Sequence, residues 1–113
     1  MIELPERVFK ALADPARLCI VAALARPEAI CCSPEDRVSA GDLERLVGLA
    51  QPSVSHHMRI LTESGLVEAK KSGKFVYYRL KRASFHKLGA WLASLAGDPA
   101  KGPYPVLAED EAA

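Results

Sequence analysis

Three thiols, two adjacent imidazoles and one face of a short helix are the parts of this sequence that could do chemistry. The thiols are Cys19 and the vicinal pair Cys31-Cys32, and the adjacent imidazoles are His56 and His57. Three cysteines are too few for a four-thiolate zinc site, and a reducing compartment argues against structural disulfides. Soft thiolates select thiophilic ions, and a set of three suits a pyramidal As(III) or a similar ion. Other readings stay open beside this one. The pair could sense redox state or have no role, and Cys19 could be a small core residue, as free cysteines often are. Ser55 and His56 are sequence neighbours that point in different directions, and no carboxylate is placed to orient the imidazole. That excludes a nucleophilic triad, and the chain reads as a non-enzyme.

The helix that carries the imidazoles must be positioned by what surrounds it. Pro52 suits a first helical turn, where its missing N–H is not needed, and Gly65 suits the position just past the end. Between them Val54, Met58 and Leu61 fall on one stripe at helical spacing, which predicts a buried side. Ser55, His56 and Arg59 fall opposite or beside it, and His57 sits at its edge as a packed or phosphate-contacting residue. Hydroxyl, imidazole and guanidinium groups on an outer face fit base edges and phosphates. After Gly65, Leu66 to Lys71 and Lys74 to Leu80 read as two strands around a Ser72-Gly73 turn. Val76, Tyr78 and Leu80 share one face of the second strand. A helix of this kind followed by a basic hairpin is the outline of a winged helix-turn-helix. The competing reading is a plain amphipathic helix and hairpin whose charges only solubilise, or a winged-helix module that binds protein and not DNA.

The rest of the chain supports this outline. At 113 residues with net charge +1, it is read as one domain over residues 1–97, with residues 98–113 a tail rich in Pro, Ala and acid that reads as disordered. The small total charge hides a segregation. Lys70, Lys71, Lys74, Arg79, Lys81, Arg82 and Lys87 occur with no acidic residue between the first and last of them, whereas Glu109, Asp110 and Glu111 lie close to the end. Local charge sets the field that a phosphate backbone meets. No apolar run approaches a membrane span and no leader is apparent, so a cytoplasmic protein with no membrane partner is expected. Leu4 to Ala13 reads as a first helix with Leu4, Val8 and Leu12 on one face. Asp14 then caps a second helix with Pro15 at its first position, with Leu18, Val21, Ala22 and Ala25 inward and an end near Arg26-Pro27. Arg17 reads as a surface or capping arginine. Residues 27–37 form a loop, Val38 a short strand, and Ser39 caps a third helix over Ala40 to Val47 with Leu43, Leu46 and Val47 inward. Phe85, Leu88, Leu92 and Leu95, with Trp91 beside them, mark a last helix that ends at Gly97.

Three motifs stand in register: Ala11-Leu12-Ala13-Asp14-Pro15-Ala16-Arg17-Leu18; Gln51-Pro52-Ser53-Val54-Ser55-His56-His57-Met58-Arg59-Ile60-Leu61; and Gly65-Leu66-Val67 followed by Val76-Tyr77-Tyr78-Arg79-Leu80. Together they resemble the ArsR (ArsR/SmtB) family of bacterial repressors over about residues 4 to 96. The resemblance implies a mainly α fold with a small β-hairpin, about five helices, and a homodimer formed through the first and last helices. Leu4, Val8, Leu88, Trp91, Leu92 and Leu95 would line that interface. It also implies repression from a double-stranded inverted-repeat operator. Gln51, Ser53, Ser55, His56, His57 and Arg59 would meet DNA from the helix, and Lys70, Lys71, Lys74 and Arg79 from the wing. The family's arsenic-sensing Cys-x-Cys pair precedes the Asp-Leu of the third helix, here Asp42-Leu43. Those positions hold Ser39 and Gly41, so that site is absent. A His-and-acid site on the last helix would have only His86. Cys19, Cys31 and Cys32 thus remain as candidate ligands for As(III) or another thiophilic effector, with a redox-sensing or effector-independent regulator as alternatives. No other cofactor is expected.

Overall fold

The computed structural model describes residues 4–27 and 38–97. Cys31, Cys32, most of the loop before Val38 and the C-terminal tail lie outside the described residues. The first helix, α1 (Glu6–Leu12), begins after Pro5 and so starts later than the expected Leu4. The second helix, α2 (Pro15–Leu24), opens on Asp14, whose side chain accepts from the backbone N–H of Ala16 and of Arg17. Proline at N1 and aspartate at the N-cap act together here, since the carboxylate satisfies donors that the helix leaves orphaned.

The inward face of α2 differs from expectation. Ile20 and Leu24 are buried, while Leu18 is 51% exposed and Ala22 and Ala25 are exposed. Val21 packs against the core as expected. The helix also stops at Leu24, ahead of Arg26. Its sequence is apolar nearly all the way round, so spacing alone does not choose a face.

A short strand, β1 (Val38–Ser39), leads directly into α3 (Ala40–Val47). Ser39 and Asp42 form a capping box: the Ser39 hydroxyl accepts from the Asp42 backbone N–H, and the Asp42 carboxylate accepts from the Ser39 N–H. Leu43 is buried, with Leu46 and Val47 packed against the core. Next comes α4 (Gln51–Glu63), which ends two residues before Gly65; a φ of 82° there is easy for glycine and strained for other residues.

Two strands follow, β2 (Val67–Ser72) and β3 (Phe75–Leu80), and they pair antiparallel from Val67↔Leu80 to Ser72↔Phe75. That last pair closes the ladder one residue later than expected, so the turn is Gly73-Lys74, with Gly73 at φ 60°. On its other edge β3 pairs with β1 through Val38↔Tyr78 and Ser39↔Tyr77, which gives a three-stranded sheet in the order β1-β3-β2. Tyr78 and Leu80 turn toward the core, and burial pushes the Tyr78 phenol above its ordinary value.

The final helix is α5 (Arg82–Ala96). It is tied to the end of α4 by Ser84, whose hydroxyl donates to the Gly65 carbonyl. One core therefore joins Ala11, Ile20, Leu24, Val38, Leu43, Val54, Met58, Leu61, Leu66 and Val67. It contains no buried polar or charged residue among those described.

The Asp14 cap has a pH signature. Desolvation is the largest influence and raises the carboxyl pKa. It is outweighed by the N–H groups of Arg17 and Ala16 and by the charge of Arg17, with a smaller effect from His57, and the net pKa lies below its ordinary 3.8. A pKa depressed by folding stabilises the protein above the unfolded value, and that stability is lost as pH falls through the folded value. The stability gap between the parent and Asp14→Asn, which keeps a capping oxygen, should be full near pH 7 and smaller in acid below the ordinary carboxylate range. Urea unfolding at both pH values would show this; an equal gap at both would count against the carboxylate.

Candidate nucleic-acid interface

Helix α4 is held by one side only. Val54, Met58 and Leu61 are buried at 1%, 1% and 0% exposure. Burying side chains of this size contributes about 1.5–3 kcal/mol each, which fixes the roll of the helix about its axis. With that side sunk in the core, Gln51, Ser53, His56 and Arg59 are exposed and Ser55 is half-buried. Ser55, His56 and Arg59 are the residues that spacing places opposite or beside the stripe. Gln51 donates from Nε2 to the Ser55 hydroxyl at 2.7 Å, so the first turn carries a preformed polar pair. His56 and His57 have ring centroids 6.0 Å apart.

His57 stands differently from its neighbour. It is half-buried, and its Nδ1 lies 3.1 Å from Nη1 of Arg17 on α2. The Arg17 side chain is only 13% exposed. Its Nε donates to the Ala11 carbonyl at the end of α1, so it does cap a helix, though the neighbouring one. Sequence reasoning missed the Arg17–His57 contact: the two residues are 40 positions apart, and nothing local links them.

The wing supplies the second half of the surface. Lys70, Lys71 and Lys74 are exposed along β2 and at the turn. The Lys74 ammonium lies 5.5 Å from the centroid of the Phe75 ring. Arg79 is paired across the sheet with Glu68, its Nε 2.9 Å from the carboxylate. That pair is exposed on the arginine side, and such pairs contribute little. Arg79 can therefore exchange its partner for a phosphate oxygen at small cost. Among the described residues, α4 and the wing thus share a continuous surface of donors: hydroxyl, amide and imidazole groups on the helix and ammonium and guanidinium groups on the hairpin.

No group of three or more His, Cys, Asp or Glu residues that could hold a metal ion occurs among the described residues. Cys19 lies exposed on α2, so it is not the core residue that its type allowed. Its candidate co-ligands Cys31 and Cys32 lie outside the described residues. Ser39, at a position where the family's arsenic-sensing pattern has cysteine, is engaged as the cap of α3.

A family model described as a helix-turn-helix domain matches residues 12–69, just over half of the chain. The arsenical resistance operon repressor of Escherichia coli is 39% identical over 92 residues, covering 81% of this chain and 68% of that protein. The biofilm growth-associated repressor of Xylella fastidiosa is 35% identical over 81 residues, covering 72% of this chain and 63% of that protein. This chain therefore spans somewhat less than two thirds of that relative's length. Among solved structures, a homodimeric winged helix-turn-helix DNA-binding domain from Mycobacterium bovis, described as a possible ArsR-family transcriptional regulator, superposes with a TM-score of 0.59 at 25% identity, over 90% of this chain and 86% of that one. The match to the domain model, the identity to these repressors and the shared arrangement of α3, α4 and wing lead to one conclusion: this chain belongs to the ArsR (ArsR/SmtB) family of winged helix-turn-helix regulators.

Proposed function

We propose that this protein is a transcriptional repressor that binds an inverted-repeat DNA operator as a homodimer and releases it when an effector binds. The observation that carries the reading is α4 itself, buried on one side and bare on the other, beside a wing with three exposed lysines. In this reading α3 crosses the DNA backbone and α4 enters the major groove, as in helix-turn-helix docking. Ser53, Ser55, His56 and Arg59 read or flank bases, Gln51 contacts a base or phosphate near the helix start, and His57 meets phosphate. Lys70, Lys71, Lys74 and Arg79 grip the backbone from the wing. Lys74→Ala should weaken binding to all sequences alike and flatten the salt dependence by about one charge. His56→Ala should instead lower the ratio of specific to random binding. Gel shifts on DNA upstream of the protein's own gene, run across a salt series, would test both. A parent protein that bound no DNA at any salt would favour a protein-interaction module.

Dimerisation is supported by the apolar side of α1 and α5. No residue of α5 is buried in the protomer. Leu4 is 65% exposed, Leu92 46% and Leu95 65%. Phe9 packs on Trp91 with ring centroids 5.6 Å apart, and a cleft of about 320 Å³ runs between Leu4, Val8, Leu88 and Trp91. A contiguous apolar surface of this kind marks an interface, and the Mycobacterium bovis neighbour is a homodimer. Because Leu92 is half bare in the protomer, Leu92→Glu should leave the chain folded and split the dimer. Sedimentation at micromolar concentration would decide: a monomeric parent, or a dimeric variant, would refute this interface.

For the effector we propose As(III) or a related thiophilic species, held by thiolates of Cys31 and Cys32 with Cys19 as a third ligand. The support is the vicinal pair just before β1 and α3, the occupation of the usual position by Ser39, and the name of the Escherichia coli relative. Binding needs thiolates, so it should release protons and weaken as pH falls. Ordering of the loop before β1 would pass through Val38 to α3, at a coupling typical of allosteric pairs, about 1–3 kcal/mol. The Cys31→Ser/Cys32→Ser double variant should bind DNA yet ignore arsenite in fluorescence anisotropy without competing dithiols. Release of DNA by arsenite from that variant, or none from the parent, would rule the pair out as sensor. A redox-sensing pair would respond to oxidant in place of arsenite.

A further inference from the structure

Arg17 holds more of the reading helix in place than a capping arginine needs to. A guanidinium carries only N–H donors and stays protonated at any ordinary pH. Its Nη1 lies 3.1 Å from His57 Nδ1, so Nδ1 must be the accepting nitrogen. A neutral imidazole that accepts at Nδ1 carries its proton on Nε2. The guanidinium cannot easily turn away from this contact. Nε donates to the Ala11 carbonyl, Nη2 lies 3.5 Å from the Lys10 carbonyl, and Nη1 also lies 3.9 Å from an Asp14 carboxylate oxygen. Cationic donors aimed at the carbonyl end of α1 are favoured by the helix dipole as well. His57 Nε2 has no hydrogen-bond partner among the described residues. No unpartnered side-chain nitrogen or oxygen is buried among them, so Nε2 opens to solvent.

We propose that Arg17 is a positioning residue for DNA contact: it fixes His57 in the tautomer whose outward Nε2–H donates to a phosphate oxygen at the edge of α4. This deepens the DNA-binding reading above and rests on it for the identity of the acceptor. Phosphate oxygens only accept, so the other tautomer would turn an acceptor toward an acceptor and lose the contact. The bond also ties the end of α1, and with it the proposed dimer face, to the roll of α4. The donor is an uncharged imidazole, so the contact strengthens binding to every sequence without adding to counterion release.

The test has two readouts. In the free protein at about pH 8, above the ordinary imidazole range, side-chain ¹⁵N spectra should show His57 Nδ1 unprotonated and Nε2 protonated. Arg17→Met should shift that ring toward a mixture of tautomers. A parent with the proton on Nδ1, or an Arg17→Met spectrum identical to the parent's, would overturn the positioning role. On DNA, His57→Asn keeps an oxygen able to accept from Arg17, while its shorter amide N–H groups do not reach the outward position of Nε2. It should bind upstream DNA and random DNA alike at least about tenfold more weakly, the size of one hydrogen bond to a charged group, with the salt slope unchanged. Parent-like affinity would overturn the phosphate contact. A flatter salt slope in Arg17→Met would also overturn it, since Arg17 would then be touching DNA directly. Should Arg17→Met fail to fold, the parent spectrum and His57→Asn still decide the matter. A parent that bound no DNA would sink the operator reading and the phosphate contact together, while the spectra would still judge the Arg17–His57 link by itself.

Discussion

The rest of the molecule depends on sinking one stripe of α4 into the core. Val54, Met58 and Leu61 each lose essentially all contact with water. A helix buried along so narrow a stripe can be rolled only by exposing those side chains, at a cost of several kcal/mol by area alone. The opposite face is therefore held at a fixed angle without any bond on that face. The supports around it serve the same constraint. The capping box at Ser39 and Asp42 starts α3 at a defined point, so that Leu43 meets the stripe. Gly65 ends the helix and returns the chain so that Leu66 and Val67 continue the same core. The wing is rooted in the packing that orients the helix.

Charge is distributed to match that geometry. The core holds no charged residue among those described, and the basic side chains gather on the hairpin and the start of α5. A net charge of +1 conceals this because, Glu68 apart, the acids lie elsewhere in the chain. The field at a surface depends on nearby charges within about a Debye length, roughly 8 Å at physiological salt, and not on the sum over the molecule. The Arg79–Glu68 pair trims the wing's positive charge in the free protein. It is exposed enough to be exchanged for a stronger partner, which makes it a modulator of the wing and not a strut.

The other end of the fold works on different physics. Leu4 just before α1 and the outer side of α5 present leucines that a chain of this size cannot cover by itself, since a small domain leaves a large share of its apolar surface exposed. Arg17 lies between this apolar end and the reading helix, with α1 carbonyls on one side and His57 on the other. Beside the direct packing of α1 on α4, this planar group with fixed donor directions links the two helices.

Much of this was legible in the residues because several elements state their own limits. Ala40–Val47 was recovered in full from a cap and an apolar triad, and α4 from Pro52, Gly65 and a stripe at helical spacing. Strand Val38 and the hairpin were legible too, although the turn moved by one residue to Gly73-Lys74, because the strand pairing and not the residue types set where the ladder closes. What needed the tertiary structure was whatever depends on an absolute direction. In α2 nearly every side is apolar, so periodicity offers no contrast, and only packing shows that Ile20 and Leu24 turn inward while Leu18 and Cys19 stay out. The contact between Arg17 and His57 is of the same kind. Local sequence can say that an arginine sits near a helix start and a histidine at the edge of a stripe. That the two meet is decided by how α2 and α4 cross, a relation between helices that no single stretch of chain contains.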